Sequence, residues 1–292
     1  MNFGEVLTAM VTPFNDDKTV NYEQAEKLAQ YLVDNGSDGL VVLGTTGEVP
    51  TLTTSEKEKL LQVVKDEVGG QAKIVAGTGC NSTHKSIKIT KMAEKVGVDG
   101  AMLVTPYYNK PPQRALENHF KLVAQETDLP VMLYNVPSRT GRNLAPETVA
   151  ELSRVDNIIA VKEASGNVSQ VARINALTDD SFNIYSGEDS LTLPILSVGG
   201  TGVVSVASHI VGNKIKEMVS SYKKGNVDEA KTKNAELNEI FNAMFITTNP
   251  IPVKAALNII GREVGPVRPP LLDLEEELKE KLKNILADNS LL

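Results

Sequence analysis

"NIIAVKEASG", residues 157–166, runs through Ile158, Ile159, Ala160 and Val161 directly into Lys162, with Glu163 and two small residues behind it. A short apolar, partly β-branched run bounded by turn formers reads as a buried strand. A lysine at the end of such a strand is either a charge paired with a carboxylate or a group whose removal from water has a use. The surroundings of the stretch decide which. It is one of eight similar runs: "LTAMVTPF" from Leu7, "GLVVLGTTGE" from Gly39, "KIVAGTG" from Lys73, "GAMLVTPYY" from Gly100, "PVMLYNVP" from Pro130, "IIAVKEAS" from Ile158, "NIYSGED" from Asn183 and "GVVSVAS" from Gly202. The first six begin roughly 30 residues apart, the length of one strand–helix unit.

Helical patterns fill the intervals. "NYEQAEKLAQYLVDNG" places Ala25, Leu28, Ala29 and Leu32 on one face and ends at Gly36, a C′ glycine. "TTSEKEKLLQVVKDEVG" opens with Thr53 and Glu56 at capping-box spacing, and "STHKSIKITKMAEKVG" stops at Gly97. Pro146 stands where a first helical turn accepts proline. Regular strand–helix alternation predicts a parallel sheet covered by helices. Eight units predict a closed (β/α)8 barrel, a TIM barrel, with a doubly wound open sheet as the competing arrangement. Residues 1–226 are read as the catalytic barrel. Residues 227–292, helical patterns broken by prolines, are read as a C-terminal helical extension.

Bulk composition narrows the function classes. The 292 residues are 41% hydrophobic and 23% charged, with net charge −7 and no basic cluster, which argues against nucleic acid or an anionic membrane as partner. No apolar run has the length of a membrane span, and no signal peptide is evident, so the expected location is the cytoplasm. Cys80 is the single cysteine, and His84, His119 and His209 are scattered, so no metal site is expected. "GTGCNS" lacks the third glycine of a dinucleotide fingerprint, and neither a Walker A motif nor a serine nucleophile elbow is present.

In a barrel the active site forms at the C-terminal ends of the strands. Those ends carry Thr12, the 44–48 "GTTGE" with Thr45 and Thr46, Gly77-Thr78-Gly79, Thr105 with Tyr107 and Tyr108, Tyr134 with Asn135, Lys162 with Glu163, and Ser186 with Gly187. Among the lysines, Lys162 alone comes directly off a buried run at this rim. Free lysine titrates near 10.4, so about one molecule in a few thousand is a neutral amine at pH 7. A pocket that limits solvent lowers that value. A neutral amine there can attack a ketone and form a Schiff base. The competing reading pairs Lys162 with Glu163. Tyr134, at the equivalent end of the preceding strand, can shuttle protons or be a core aromatic with a satisfied hydroxyl. Arg139 in "PSRTG" can hold a carboxylate or lie on the surface. Thr45 and Thr46 offer hydroxyls and amides to a small anion or cap the loop.

"GTTGE" (44–48), "TPYYNK" (105–110), "YNVPSRTG" (134–141), "VKEASG" (161–166) and "NPIPVKAAL" (249–257) together resemble the dihydrodipicolinate synthase family, over essentially the whole chain. The wider superfamily of Schiff-base lyases shares the lysine and tyrosine; the arginine and the double threonine favour the synthase branch. The resemblance implies Lys162 condensing with pyruvate, and a proton relay of Tyr134, Thr45 and Tyr108, with Tyr108 reaching in from a neighbouring subunit. Thr45 and Thr46 would hold the pyruvate carboxylate. Arg139 would help hold L-aspartate 4-semialdehyde, and Gly187 and Val204 would complete the pocket through backbone carbonyls. It further implies no cofactor beyond the covalent pyruvate, and a homotetramer built as a dimer of dimers, or a dimer. The family's lysine-inhibited members bind lysine at an interface site. Here Asn81 and Tyr107 match that site, but Val49, Pro50, Thr54, Lys57 and Lys85 fall at its other positions. A cationic effector meeting two lysines predicts weak or absent lysine inhibition. The alternatives are another pyruvate-dependent aldolase on the same barrel and a non-catalytic barrel, although the latter is not expected to keep both Lys162 and Tyr134.

Overall fold

The computed structural model describes residues 2–292. Eight parallel strands close on themselves: β1 (Val6–Ala9), β2 (Gly39–Val42), β3 (Lys73–Gly77), β4 (Gly100–Val104), β5 (Val131–Asn135), β6 (Ile158–Glu163), β7 (Asn183–Ser186) and β8 (Gly202–Ser205). β1 pairs with both β2 and β8, so no sheet edge remains exposed. The open-sheet alternative is thereby excluded. Alternation within each strand divides the side chains. Leu7, Val41, Val75, Met102, Met132, Ala160, Tyr185 and Val204 fill the barrel interior. Their neighbours Leu40, Ile74, Leu103, Leu133, Val161 and Ile184 point outward to the helices.

The helix signals act as read. Asn21 accepts from the Gln24 amide at the start of Tyr22–Asp34, and Thr53 and Glu56 form a complete capping box on Thr54–Val68. Gly36 and Gly97 adopt φ of +96° and +82°, which a side chain rarely tolerates. One difference concerns "PSRTG". The sequence reads as a loop, but Pro137–Thr140 is a single helical turn, because the Arg139 and Thr140 amides both donate to the Val136 carbonyl and Gly141 ends it at φ +68°. Beyond the barrel lie helices Val227–Ala243, Ile251–Ile259 and Glu276–Asp288. Their Leu237, Phe241, Val253, Leu257, Leu282 and Leu286 enter the same apolar cluster as Leu28, Leu61 and Ile215 of the barrel helices. This docking carries residues 241–249 over the C-terminal rim of the barrel.

Candidate active site

A cavity of about 330 Å³ opens at that rim, lined by Thr45, Thr46, Tyr134, Arg139, Lys162, Gly187, Glu188, Asp189 and Val206, with Phe241, Asn242, Phe245 and Asn249 from the extension. Strand register explains the meeting of its central pair. Tyr134 stands beside Lys162 in the β5–β6 ladder, and both share the inward parity of Met132 and Ala160. Lys162 is 6% exposed, and its Nζ lies 4.4 Å from the centre of the Tyr134 ring.

Glu163 has the opposite parity and leaves the barrel on its outer side. Its carboxylate accepts from Asn135 Nδ2 at 2.9 Å, from Gln170 Nε2 at 2.9 Å and from the Ser165 amide at 2.7 Å. The Lys162–Glu163 pair is therefore not formed, and among the described residues Lys162 joins no ion pair. Burial lowers the Lys162 pKa to about 8, with Asp189 opposing the change and Arg139 reinforcing it. Burial also pushes the Tyr134 phenol up, against the Arg139 guanidinium and the Thr45 side chain. Asp189 accepts from the Val206 and Ala207 amides, each at 3.0 Å, and from Ser205 Oγ, while burial raises its pKa.

Gly187 is required by close approach. A Cβ there would lie 2.6 Å from Ala164 Cβ and 3.2 Å from Lys162 Cε. Val204 sits on β8 among the interior residues of the barrel, opposite Leu7, and the cavity wall on that side is made two residues later by Val206. Tyr108 does not enter the cavity of its own chain. It is 89% exposed and held at φ +72°. Tyr107, beside it, lines a second cavity of about 260 Å³ that also contains Val49, Pro50, Lys57, Thr45 and Arg139.

Sequence reasoning missed residues in three places. Asn249 donates through Nδ2 to Thr46 Oγ1 at 2.9 Å, and its carbonyl accepts from Arg139 Nη2 at 3.3 Å. Asp189 and Glu188 complete the wall after Gly187. The third omission is Lys254, 2% exposed, which donates to Glu48 Oε1 and the Thr12 carbonyl, each at 3.0 Å, and to the Pro266 carbonyl at 2.6 Å. Burial brings Lys254 to about 8 as well, against the pull of Glu48. Two lysines thus share one lowered value, but only Lys162 is free of acceptors and faces the rim cavity. The groove of about 860 Å³ beside Lys254 shares no residue with that cavity. The apolar neighbours Val253 and Ala255 in the sequence were the available sign that Lys254 is buried.

Fold and site define a barrel enzyme with a desolvated, unpaired lysine among hydroxyl and guanidinium groups at the catalytic rim. Comparison with known proteins is more specific. Residues 2–289 match the model of the dihydrodipicolinate synthetase family, and the chain belongs to that family. It is 54% identical over 292 residues to the 4-hydroxy-tetrahydrodipicolinate synthase of Desulforudis audaxviator, covering 100% of this chain and 99% of that protein. It is 55% identical over 293 residues to the synthase of Desulforamulus reducens, covering 100% and 99%. The crystal structure of the Cyanidioschyzon merolae enzyme with lysine bound superposes with a TM-score of 0.98 at 48% identity, covering 99% of each chain. The protein is accordingly an enzyme, a lyase of lysine and diaminopimelate biosynthesis with 4-hydroxy-tetrahydrodipicolinate synthase activity.

Proposed function

We propose that Lys162 condenses with pyruvate and that the resulting enamine attacks L-aspartate 4-semialdehyde. The unpaired amine of Lys162 inside the barrel, with Glu163 turned away, carries this reading. Nζ adds to the keto carbon of pyruvate, and the carbonyl oxygen leaves as water once protonated. Tyr134, beside Nζ, is the group that delivers and recovers protons, with Thr45 and the Tyr108 of a neighbouring subunit extending the relay. Loss of a methyl proton gives the enamine, whose carbon bonds to the aldehyde carbon. The amine of the second substrate then attacks the imine carbon. The C–N bond to Lys162 breaks, and 4-hydroxy-tetrahydrodipicolinate leaves. Thr45 and Thr46 hold the pyruvate carboxylate, Arg139 holds that of the aldehyde, and Gly187 borders the pocket, while Val204 stays in the barrel interior. No cofactor takes part in these steps.

The exposed, left-handed Tyr108 supports an oligomer in which one subunit completes the site of the next: a homotetramer as a dimer of dimers, or a dimer. The barrel of residues 1–226 supplies the chemistry and the extension of residues 227–292 roofs it. Among the described residues no helix is long and apolar enough to cross a membrane. The cytoplasm is the proposed location, as for a biosynthetic enzyme of small soluble substrates. Lysine is proposed to inhibit weakly: in the cavity beside Tyr107, burial lowers the Lys57 pKa against the opposing pull of Cys80 and Glu56, with Lys85 adding to the decrease, so a further cation is disfavoured. Pyruvate followed by borohydride, read by peptide mass spectrometry, tests the central step. A reduced pyruvate on Lys162 is expected, and its absence in an active enzyme would refute the reading.

A further inference from the structure

Lys254 and Glu48 form the one ion pair, among the described residues, in which both side chains are buried, each 2% exposed. Removing two charges from water offsets most of their attraction, so apolar side chains of similar volume would stabilise a core as well or better. The pair therefore calls for another use. Neither residue lines the Lys162 cavity, and neither they nor Arg268 can touch a substrate bound there.

Glu48 closes the turn that presents Thr45 and Thr46. Its amide donates to the Thr45 carbonyl at 3.0 Å, and the Gly47 amide donates to that of Gly44 at 3.1 Å. Glu48 is held at φ +53°, and Leu43, at the other end of the turn, at φ +62°; both are left-handed, which is uncommon for residues with side chains. Such backbone persists where its surroundings over-determine it. Here Lys254 Nζ donates to Glu48 Oε1 and to the Thr12 carbonyl, each at 3.0 Å, and the Thr12 hydroxyl donates to the Gly47 carbonyl at 2.7 Å. Glu48 Oε2 accepts the Arg268 amide at 2.8 Å. Lys254, on the helix Ile251–Ile259, and Arg268 both belong to the extension. One buried cation thus binds two segments of the rim, and the turn is tied to the extension at its end.

We propose that the Glu48–Lys254 pair is a positioning device that fixes the 44–48 turn, so that the hydroxyls and amides of Thr45 and Thr46 stay set for the pyruvate carboxylate. This rests on the role given above to the two threonines. The pair acts through the backbone of the turn, and makes the extension a contributor to pyruvate capture as well as to packing.

The test compares full-length wild type, Glu48→Gln and the double variant Glu48→Gln/Lys254→Met. Borohydride trapping gives the pyruvate concentration at half-maximal adduct formation, steady-state rates give KM for L-aspartate 4-semialdehyde, and urea unfolding gives the midpoint. The double variant leaves no buried charge alone, so its midpoint is expected near that of the wild type. Its half-saturating pyruvate is expected to rise roughly 10- to 100-fold, the effect of a small misplacement of binding groups, while KM for the aldehyde moves far less. A stable double variant with the wild-type pyruvate constant, or with both constants raised equally, overturns the proposal. If the double variant does not fold, Glu48→Gln decides: a rise in the pyruvate constant alone supports the device, and any other result overturns it. A wild type without the adduct refutes the reaction beneath, whereas an adduct whose pyruvate dependence no variant changes refutes the device alone.

Discussion

Replacing Lys162 with methionine is expected to abolish the pyruvate adduct and, at the same time, to stabilise the protein. Lys162 is buried and titrates at about 8 instead of the ordinary 10.5. The difference corresponds to roughly 3 kcal/mol against the charged form in the native state. Below pH 8 the lysine is protonated in both native and unfolded chains, and the native state bears the whole penalty. Between 8 and 10.5 the unfolded chain keeps a proton that the native chain has released, so stability rises with pH. Above 10.5 both forms are neutral and the penalty is gone. Lys162→Met removes a pH-dependent cost of about 3 kcal/mol at pH 7 and about 1.4 kcal/mol at pH 9.5. Urea unfolding of both proteins at fixed protomer concentration, at the two pH values, measures it. Packing changes shift both differences equally, so their change with pH isolates the charge. A stability difference that is the same at pH 7 and pH 9.5 would show that the native lysine is not desolvated, and would remove the basis for its nucleophilicity.

The rate of pyruvate adduct formation should climb about tenfold per unit between pH 6 and 7 and level off above about 8, as the neutral amine becomes the main form; stopped-time borohydride trapping reads it, and a flat profile would refute the assignment. Gly187→Ala places a methyl 2.6 Å from Ala164 Cβ and 3.2 Å from Lys162 Cε, so adduct formation should fall at least tenfold and the unfolding midpoint should drop as well; unchanged adduct formation would refute the close-packing argument. Lys254→Met leaves Glu48 buried without its cation and should cost about 3–5 kcal/mol in urea unfolding, most of it recovered by adding Glu48→Gln. Half-inhibition by lysine is expected above the millimolar range; an inhibition curve with a midpoint below it would show that Lys57 and Lys85 do not exclude the effector.

The barrel was legible because its signals are local and repeated. Strand runs such as 158–161, the caps at Asn21 and Thr53 and the stops at Gly36 and Gly97 each involve residues a few positions apart, and each adopts the structure expected. The proposed nucleophile, Lys162, was legible for the same reason, as a charged residue following an apolar run. The roof of the site was not. Asn249 reaches Thr46 across 203 positions and Lys254 reaches Glu48 across 206. Their types and neighbours announce a helix start and an apolar helix, and nothing in them names a distant partner. The "PSRTG" turn was missed because its helical hydrogen bonds occupy a single turn, too short for any periodicity to show.

The sequence by itself determined the strand–helix repeat and placed Lys162, Tyr134 and the paired threonines at strand ends, because alternation and capping act through neighbours along the chain. Tertiary structure alone decided the electrostatics. Closing the barrel put Lys162 inside and Glu163 outside, where Asn135 and Gln170 hold it, and so withheld from the lysine the carboxylate next to it in sequence. Docking of the extension buried one lysine with a partner and left the other without one. A pKa follows from the solvent and charge around a group in three dimensions, and residues far apart in the chain supply both.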